Sequence, residues 1–150
     1  MEQHALQRFA HTESLTLNAP PERVFPLFGP LREKEWAADW DPTLIYSDAP
    51  LGDCAGTVFS SRHPGEPDTI WYVNRFDAAQ WAVEYVRVTP GLMLAIVAIQ
   101  CEASDGGRTV AHVTYTFTAL SDAGAAALHH RAAHHASGVR AWEGAINGIL

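Results

Sequence analysis

Three places in the chain carry side chains able to do chemistry. The first is Arg75, in Trp71-Tyr72-Val73-Asn74-Arg75, where strand alternation puts Trp71, Val73 and Arg75 on one face. A guanidinium inside an apolar pocket is a fixed positive charge for a carboxylate, enolate or phenolate. One such charge-assisted hydrogen bond is worth ~1.5–3 kcal/mol. At a strand end near Asp77 the same arginine would instead make a rim ion pair of little energetic value. The second is His135, the one helix histidine that stands in an apolar stripe. A neutral imidazole there can accept a proton or bind a hydroxyl, and burial lowers its pKa; the competing role is that of a core histidine bonded to the sheet. The third is Glu33 to Pro42, with two tryptophans and four acids. Trp36 and Trp40 there form an apolar lid and Glu35 or Asp39 serves as general acid or base, while Glu33 and Asp41 face water. The same tryptophans would equally serve to plug the end of a core.

Other chemistries are disfavoured. His130 and His134 have the one-turn spacing that lets two imidazoles share an ion, but with His129 and His135 they find no local Glu or Cys, so no metal is expected. No nucleophile with a base at recognisable spacing and no glycine-rich phosphate loop is present, and no cofactor is expected. Ten Lys and Arg stand against 17 Asp and Glu, a net charge of −7, which argues against nucleic acid or an anionic membrane surface as partner. Cys54 and Cys101 lie far apart, which fits a reducing cytoplasm better than a disulfide framework. The opening residues, with Glu2, His4 and Arg8, are wrong for a signal peptide, and no run is long enough for a membrane span. A chain of 150 residues, 47% hydrophobic, is one domain with one core.

The elements that must position these groups follow from periodicity. Phe9 to Asn18 alternates as a first strand, Ala19-Pro20-Pro21 stops it, and two short helices follow, around Val24 to Phe28 and Leu31 to Trp36. The period then becomes two. It predicts strands at Leu44 to Ser47, Thr57 to His63, Thr69 to Phe76, Trp81 to Thr89, Leu92 to Glu102 and Thr109 to Leu120, joined by short turns. From Ser121 to Leu150 the apolar positions Leu128, Ala132, His135, Val139, Trp142, Ile146 and Ile149 predict one helix, roughly 40 Å long, lying across the whole sheet. Its stripe is thin in volume, which leaves room between helix and sheet. Alternation points Thr57, Phe59, Ser61 and His63 inward, along with Ala111, Val113, Tyr115, Phe117 and Ala119, and it puts Trp81, Val83, Tyr85 and Arg87 on one face. His63, Tyr85 and Tyr115 are thereby candidate polar groups of a cavity. Leu92 to Glu102 is apolar on both sides, so its faces cannot be assigned; a second subunit is one candidate cover for its outside.

This order of elements, with the strand and proline turn from Leu15 to Pro21, Thr89-Pro90-Gly91 and the final helix, resembles the START, pollen-allergen and polyketide-cyclase superfamily. The resemblance implies a helix-grip α+β fold, a seven-stranded antiparallel sheet wrapped around a long carboxy-terminal helix. It also implies a ligand cavity between them. Trp71 and Arg75 match the Trp-x-Ser-x-Arg strand of the aromatase and cyclase branch, with Val73 in place of the serine. The first function implied is binding or carriage of a small hydrophobic ligand, aromatic, polyketide-like or lipid. Trp36, Trp40, Phe59, Ser61, His63, Trp71, Val73, Tyr85, Tyr115, Phe117, Leu128, Val139 and Trp142 would line its site. The second is a cyclase, aromatase or dehydratase, a lyase or isomerase in which Arg75 stabilises an enolate and His135, Glu35 or a tyrosine moves the proton. The third is an interaction or stress-related module whose cavity is filled by its own side chains.

Overall fold

The computed structural model describes residues 7–150; Met1 to Leu6, on which most of the signal-peptide expectation rests, lie outside them. Strand β1 (Arg8–Leu17) ends where Pro20 and Pro21 forbid further pairing, and Pro21 opens the one-turn helix α1 (Pro21–Val24) at a position that needs no amide. Two 3-10 turns follow, Phe25–Phe28 and Arg32–Glu35. Val24, Phe25, Leu27 and Phe28 bury themselves against one end of the sheet.

The remaining strands are β2 (Thr43–Tyr46), β3 (Val58–Ser61), β4 (Thr69–Asp77), β5 (Ala82–Thr89), β6 (Met93–Ser104) and β7 (Arg108–Ala119). They form one antiparallel sheet in the order β1-β7-β6-β5-β4-β3-β2. The inner face carries Val83, Tyr85 and Arg87 of β5 and Val113, Tyr115 and Phe117 of β7, as alternation predicts. The faces of β6, illegible in the sequence, are settled by position. Met93, Ala95, Val97, Ile99 and Cys101 point into the core, while Ile96 is exposed on the outer face with Ile70 and Tyr72 of β4.

The expected single terminal helix is two. Helix α2 (Asp122–Ala132) and α3 (His135–Asn147) meet at Ala133 and His134, where His134 leaves helical geometry (φ −121°, ψ −6°) and its amide bonds back to Arg131 O. The break follows from what each half must reach. The start of α2 is tied to the β5–β6 turn. Ser121 Oγ accepts from Gly124 N at 3.0 Å and donates to Gly91 O at 2.5 Å. Gly124 sits so close to β6 that a Cβ there would stand 1.8 Å from Leu92 O. Helix α3 instead runs along the edge strand β1. There Glu143 accepts from Thr16 N (2.7 Å) and Asn147 accepts from Asn18 N (2.9 Å), covering backbone groups that an edge leaves open. A twisted sheet turns these two anchor lines apart, and one straight rod cannot follow both. The apolar stripe is likewise shared: Leu128, Val139 and Ile146 are buried, His135 and Trp142 are half-buried, and Ile149 is exposed.

Candidate functional site

Because α3 is drawn towards β1, the space beneath the α2–α3 joint is not filled. A cleft of about 440 Å³ opens there, floored by Arg87 and Tyr115 and walled by Ala127, Arg131, His135, Gly138, Val139 and Trp142, with Glu66 at its rim. The small residues are what leave the room. A Cβ built on Gly138 would meet nothing within 4 Å.

Arg87 is 8% exposed. Its guanidinium lies 5.1 Å from the centroid of Trp71 and 5.7 Å from that of Phe117, and the guanidinium of Arg131 lies 5.4 Å from the same Phe117 ring. Neither arginine has an ion-pair or hydrogen-bond partner among the described residues. Burial pulls the Arg87 pKa down to about 10, which still leaves it charged at neutral pH. The His135 ring makes T-shaped contacts with Tyr115 at 4.7 Å and with Phe117 at 5.3 Å, and its buried Nε2 has no hydrogen-bond partner among the described residues. Burial first, then the charges of its cationic neighbours, lower it to about 4, so the imidazole is neutral at pH 7. Burial also raises Tyr115 to about 12.

Beyond Tyr115 and Trp142, whose rings are 6.2 Å apart, lies a second and much smaller pocket of about 20 Å³. Both rings line it too, with Glu33, Trp40, Phe59, Trp71 and Tyr85. Here the indole and phenol donors of the surrounding rings are occupied. Trp36 Nε1 donates to Leu27 O (2.8 Å), Trp40 Nε1 to Pro30 O (2.7 Å), Trp71 Nε1 to Ser61 Oγ (2.8 Å) and Tyr85 Oη to Phe28 O (2.6 Å). The two lid tryptophans therefore fasten the loop that carries them. Phe59 stacks on Trp71 at 5.4 Å, and Val73 is fully buried beside them. Glu33 does not face water as expected. The residue is half-buried and lines this pocket, and loss of water pushes its pKa well above the usual carboxylate range. His63 contacts Ser61 Oγ at 3.3 Å at a separate surface opening with Asp39 and Asp41.

Of the expected site residues only Tyr115, His135, Val139 and Trp142 line the cleft. Arg75 is outside the cleft, half-exposed, with its Nη2 3.5 Å from Asp77 Oδ2. The cause is a bulge: Val73 pairs with Tyr85 but Arg75 with Glu84, so Asn74 is an extra residue and the parity of the strand shifts. Phe76 takes the inward place and packs on Phe25 at 5.1 Å. Glu35 pairs with Arg32 at the surface, and Leu128 is buried in the core without lining the cleft. Arg87 is the cleft side chain that motif reasoning missed. The signal was its place on the Tyr85 face of β5. His130 and His134 stack edge-on at 5.2 Å, and among the described residues no group of three or more His, Cys, Asp or Glu could hold a metal ion.

No family model matches the sequence, and no match was found among curated proteins. Solved structures do match. The structure of Ara h 8.0201 superposes with a TM-score of 0.67 at 18% identity, covering 95% of this chain and 97% of that one. The Zhui aromatase/cyclase from Streptomyces sp. R1128 gives 0.66 at 14% identity over 94% and 92%. The chain has the helix-grip fold. A hypothetical protein from Helicobacter pylori shares it with a TM-score of 0.74, at 13% identity over 94% and 87%. At such identities the likeness concerns architecture alone. Within this helix-grip domain no described helix is long and apolar enough to cross a membrane, and Cys54 and Cys101 are both unpaired.

Proposed function

We propose that the protein binds or carries a small hydrophobic, aromatic ligand in the cleft under the α2–α3 joint. The observation that carries this is the cleft itself: about 440 Å³ of open space between helix and sheet, walled by Val139, Trp142 and Tyr115 and kept open by Ala127 and Gly138. That is the volume of a small-molecule site, and the ring faces of Tyr115 and Trp142 suit a planar guest. The test is titration with the neutral dye N-phenyl-1-naphthylamine. Its fluorescence rises when it enters an apolar site, and Trp142 offers an independent quenching signal. Gly138→Phe adds bulk where nothing stands in the way, so it should abolish dye binding while the far-ultraviolet circular dichroism stays unchanged. Dye bound equally by wild type and G138F would sink the proposal, as would no binding at all by wild type.

A second role, as a lyase or isomerase acting on an enolisable substrate, is favoured by one observation. Arg87, Tyr115 and neutral His135 line the same cleft, a cation to hold an oxyanion beside two groups able to exchange a proton. Arg75 and Glu35, outside the cleft, have no part in it. Turnover of a bound polyketide-like ketone, lost in His135→Phe with binding retained, would establish it; binding without turnover leaves carriage.

A further inference from the structure

We infer that the cleft selects a ligand bearing one negative charge, a planar aromatic acid whose carboxylate is gripped by Arg87 together with Arg131. This rests on the cleft being a hydrophobic ligand site and adds which ligands it takes.

The two guanidiniums are placed in a way the fold itself does not use. In a chain with 17 acids against 10 basic residues, a surface arginine readily finds a carboxylate. Arg87 is almost fully buried, yet it has no ion-pair partner among the described residues, and Arg131, from a different element, converges on the same Phe117 ring equally unpaired. Burying an unpaired charge is unfavourable, and a like charge beside it adds to the cost. What holds the pair is the faces of Trp71 and Phe117. A ring face holds a cation without supplying an acceptor atom, so the N–H donors of both guanidiniums stay open to a carboxylate, which can take two parallel hydrogen bonds.

The surroundings set the size and charge of the guest. Past the pair, a recess of about 10 Å³ between Thr89, Leu92 and Met93 shares Glu66, Arg87 and Arg131 with the cleft. It is too small for any part of the guest, but the two guanidiniums stand at this end, so the acid group points there and the aromatic body lies back towards Tyr115 and Trp142. Glu66 lines both spaces and the whole chain carries −7, which disfavours a polyanion such as a nucleotide and leaves a single charge as the match.

The test compares two dyes with one body, 8-anilinonaphthalene-1-sulfonate, which is anionic, and neutral N-phenyl-1-naphthylamine. Wild type is expected to bind the anionic dye about tenfold to a hundredfold more tightly, the range of one or two charge-assisted hydrogen bonds. The bound anionic dye should be displaced by 2-naphthoate and not by 2-naphthalenemethanol. Arg87→Met keeps the stacking volume and should erase the preference while leaving neutral-dye affinity intact. Arg131→Gln, on a helix surface where folding is not at stake, should reduce it severalfold, and Arg75→Gln, outside the cleft, should leave it unchanged. Equal binding of the two dyes by wild type overturns the inference while leaving the cleft a ligand site, as does a preference that survives in both R87M and R131Q. If neither dye binds, the cleft is not a ligand site and the inference falls with it.

Discussion

The cleft under the helix joint and the pocket beneath Trp40 lie on the same sheet face, divided only by Tyr115 and Trp142, yet they are built on opposite terms. In the inner pocket the rings are large and the polar atoms of Trp36, Trp40, Trp71 and Tyr85 are each bonded within the protein. In the outer cleft the walls include Ala127 and Gly138, and Arg87, Arg131 and His135 Nε2 lack partners among the described residues. A buried polar atom with a partner holds the fold together; one without a partner costs stability and is open to a guest's hydrogen bond. The difference separates the two regions more cleanly than residue type does, since both are rich in aromatics; Glu33 is the exception at the inner end.

The largest expected effect is at the inner end. Trp71→Ala should cost about 3–5 kcal/mol, because it leaves a void between Phe59 and Tyr85 and unseats Arg87 as well; urea denaturation measures it. Tyr85→Phe, which strands Phe28 O, should cost about 1–3 kcal/mol. Trp142→Ala should cost less than Trp71→Ala, its ring being half-buried. It should also remove the partition, so that the two spaces merge and a bulkier neutral dye binds; a loss as large as that of Trp71→Ala would show that the partition is core.

The two regions should also answer pH in opposite directions. His135 is depressed to about 4 in the folded protein. As pH falls from about 6.5 towards 4, the unfolded chain takes up this proton first, and stability is lost across that window. His135→Phe should flatten that loss. Glu33 is raised, so the folded state keeps its proton after the unfolded chain has released it, and stability falls as pH rises above the ordinary carboxylate range. Glu33→Gln should therefore stabilise the protein at neutral pH and not at pH 4. Melting temperatures of both variants between pH 4 and 8 would show either this crossing or its absence, the latter removing Glu33 from the buried set.

Most of the architecture was legible because one face of nearly every strand is apolar and the other is not: His112, Thr114, Thr116 and Thr118 give β7 away. Where that contrast fails, so does the inference, as in β6 with Ile96 and Ala98 on its outer side. The candidate site was less legible for three separate reasons. A bulge leaves no trace in periodicity, so Arg75 looked inward. An acid is expected in water by its type alone, so Glu33, carried on a 3-10 turn beside the inner pocket, looked solvent-facing. The helical period continues through Ala132, His135 and Val139, so the joint that makes the cleft was invisible. Arg87 stood on a correctly drawn face but matched no pattern.

The sheet's two rims also differ. At β1 the amides of Thr16 and Asn18 are taken by Glu143 and Asn147, while β2 is four residues long and leaves Ile45 and Tyr46 exposed. Joining molecules side by side into an endless ribbon would require two receptive rims on every copy. With one of them partly occupied by its own helix, the chain lacks one of the two rims that such a ribbon needs.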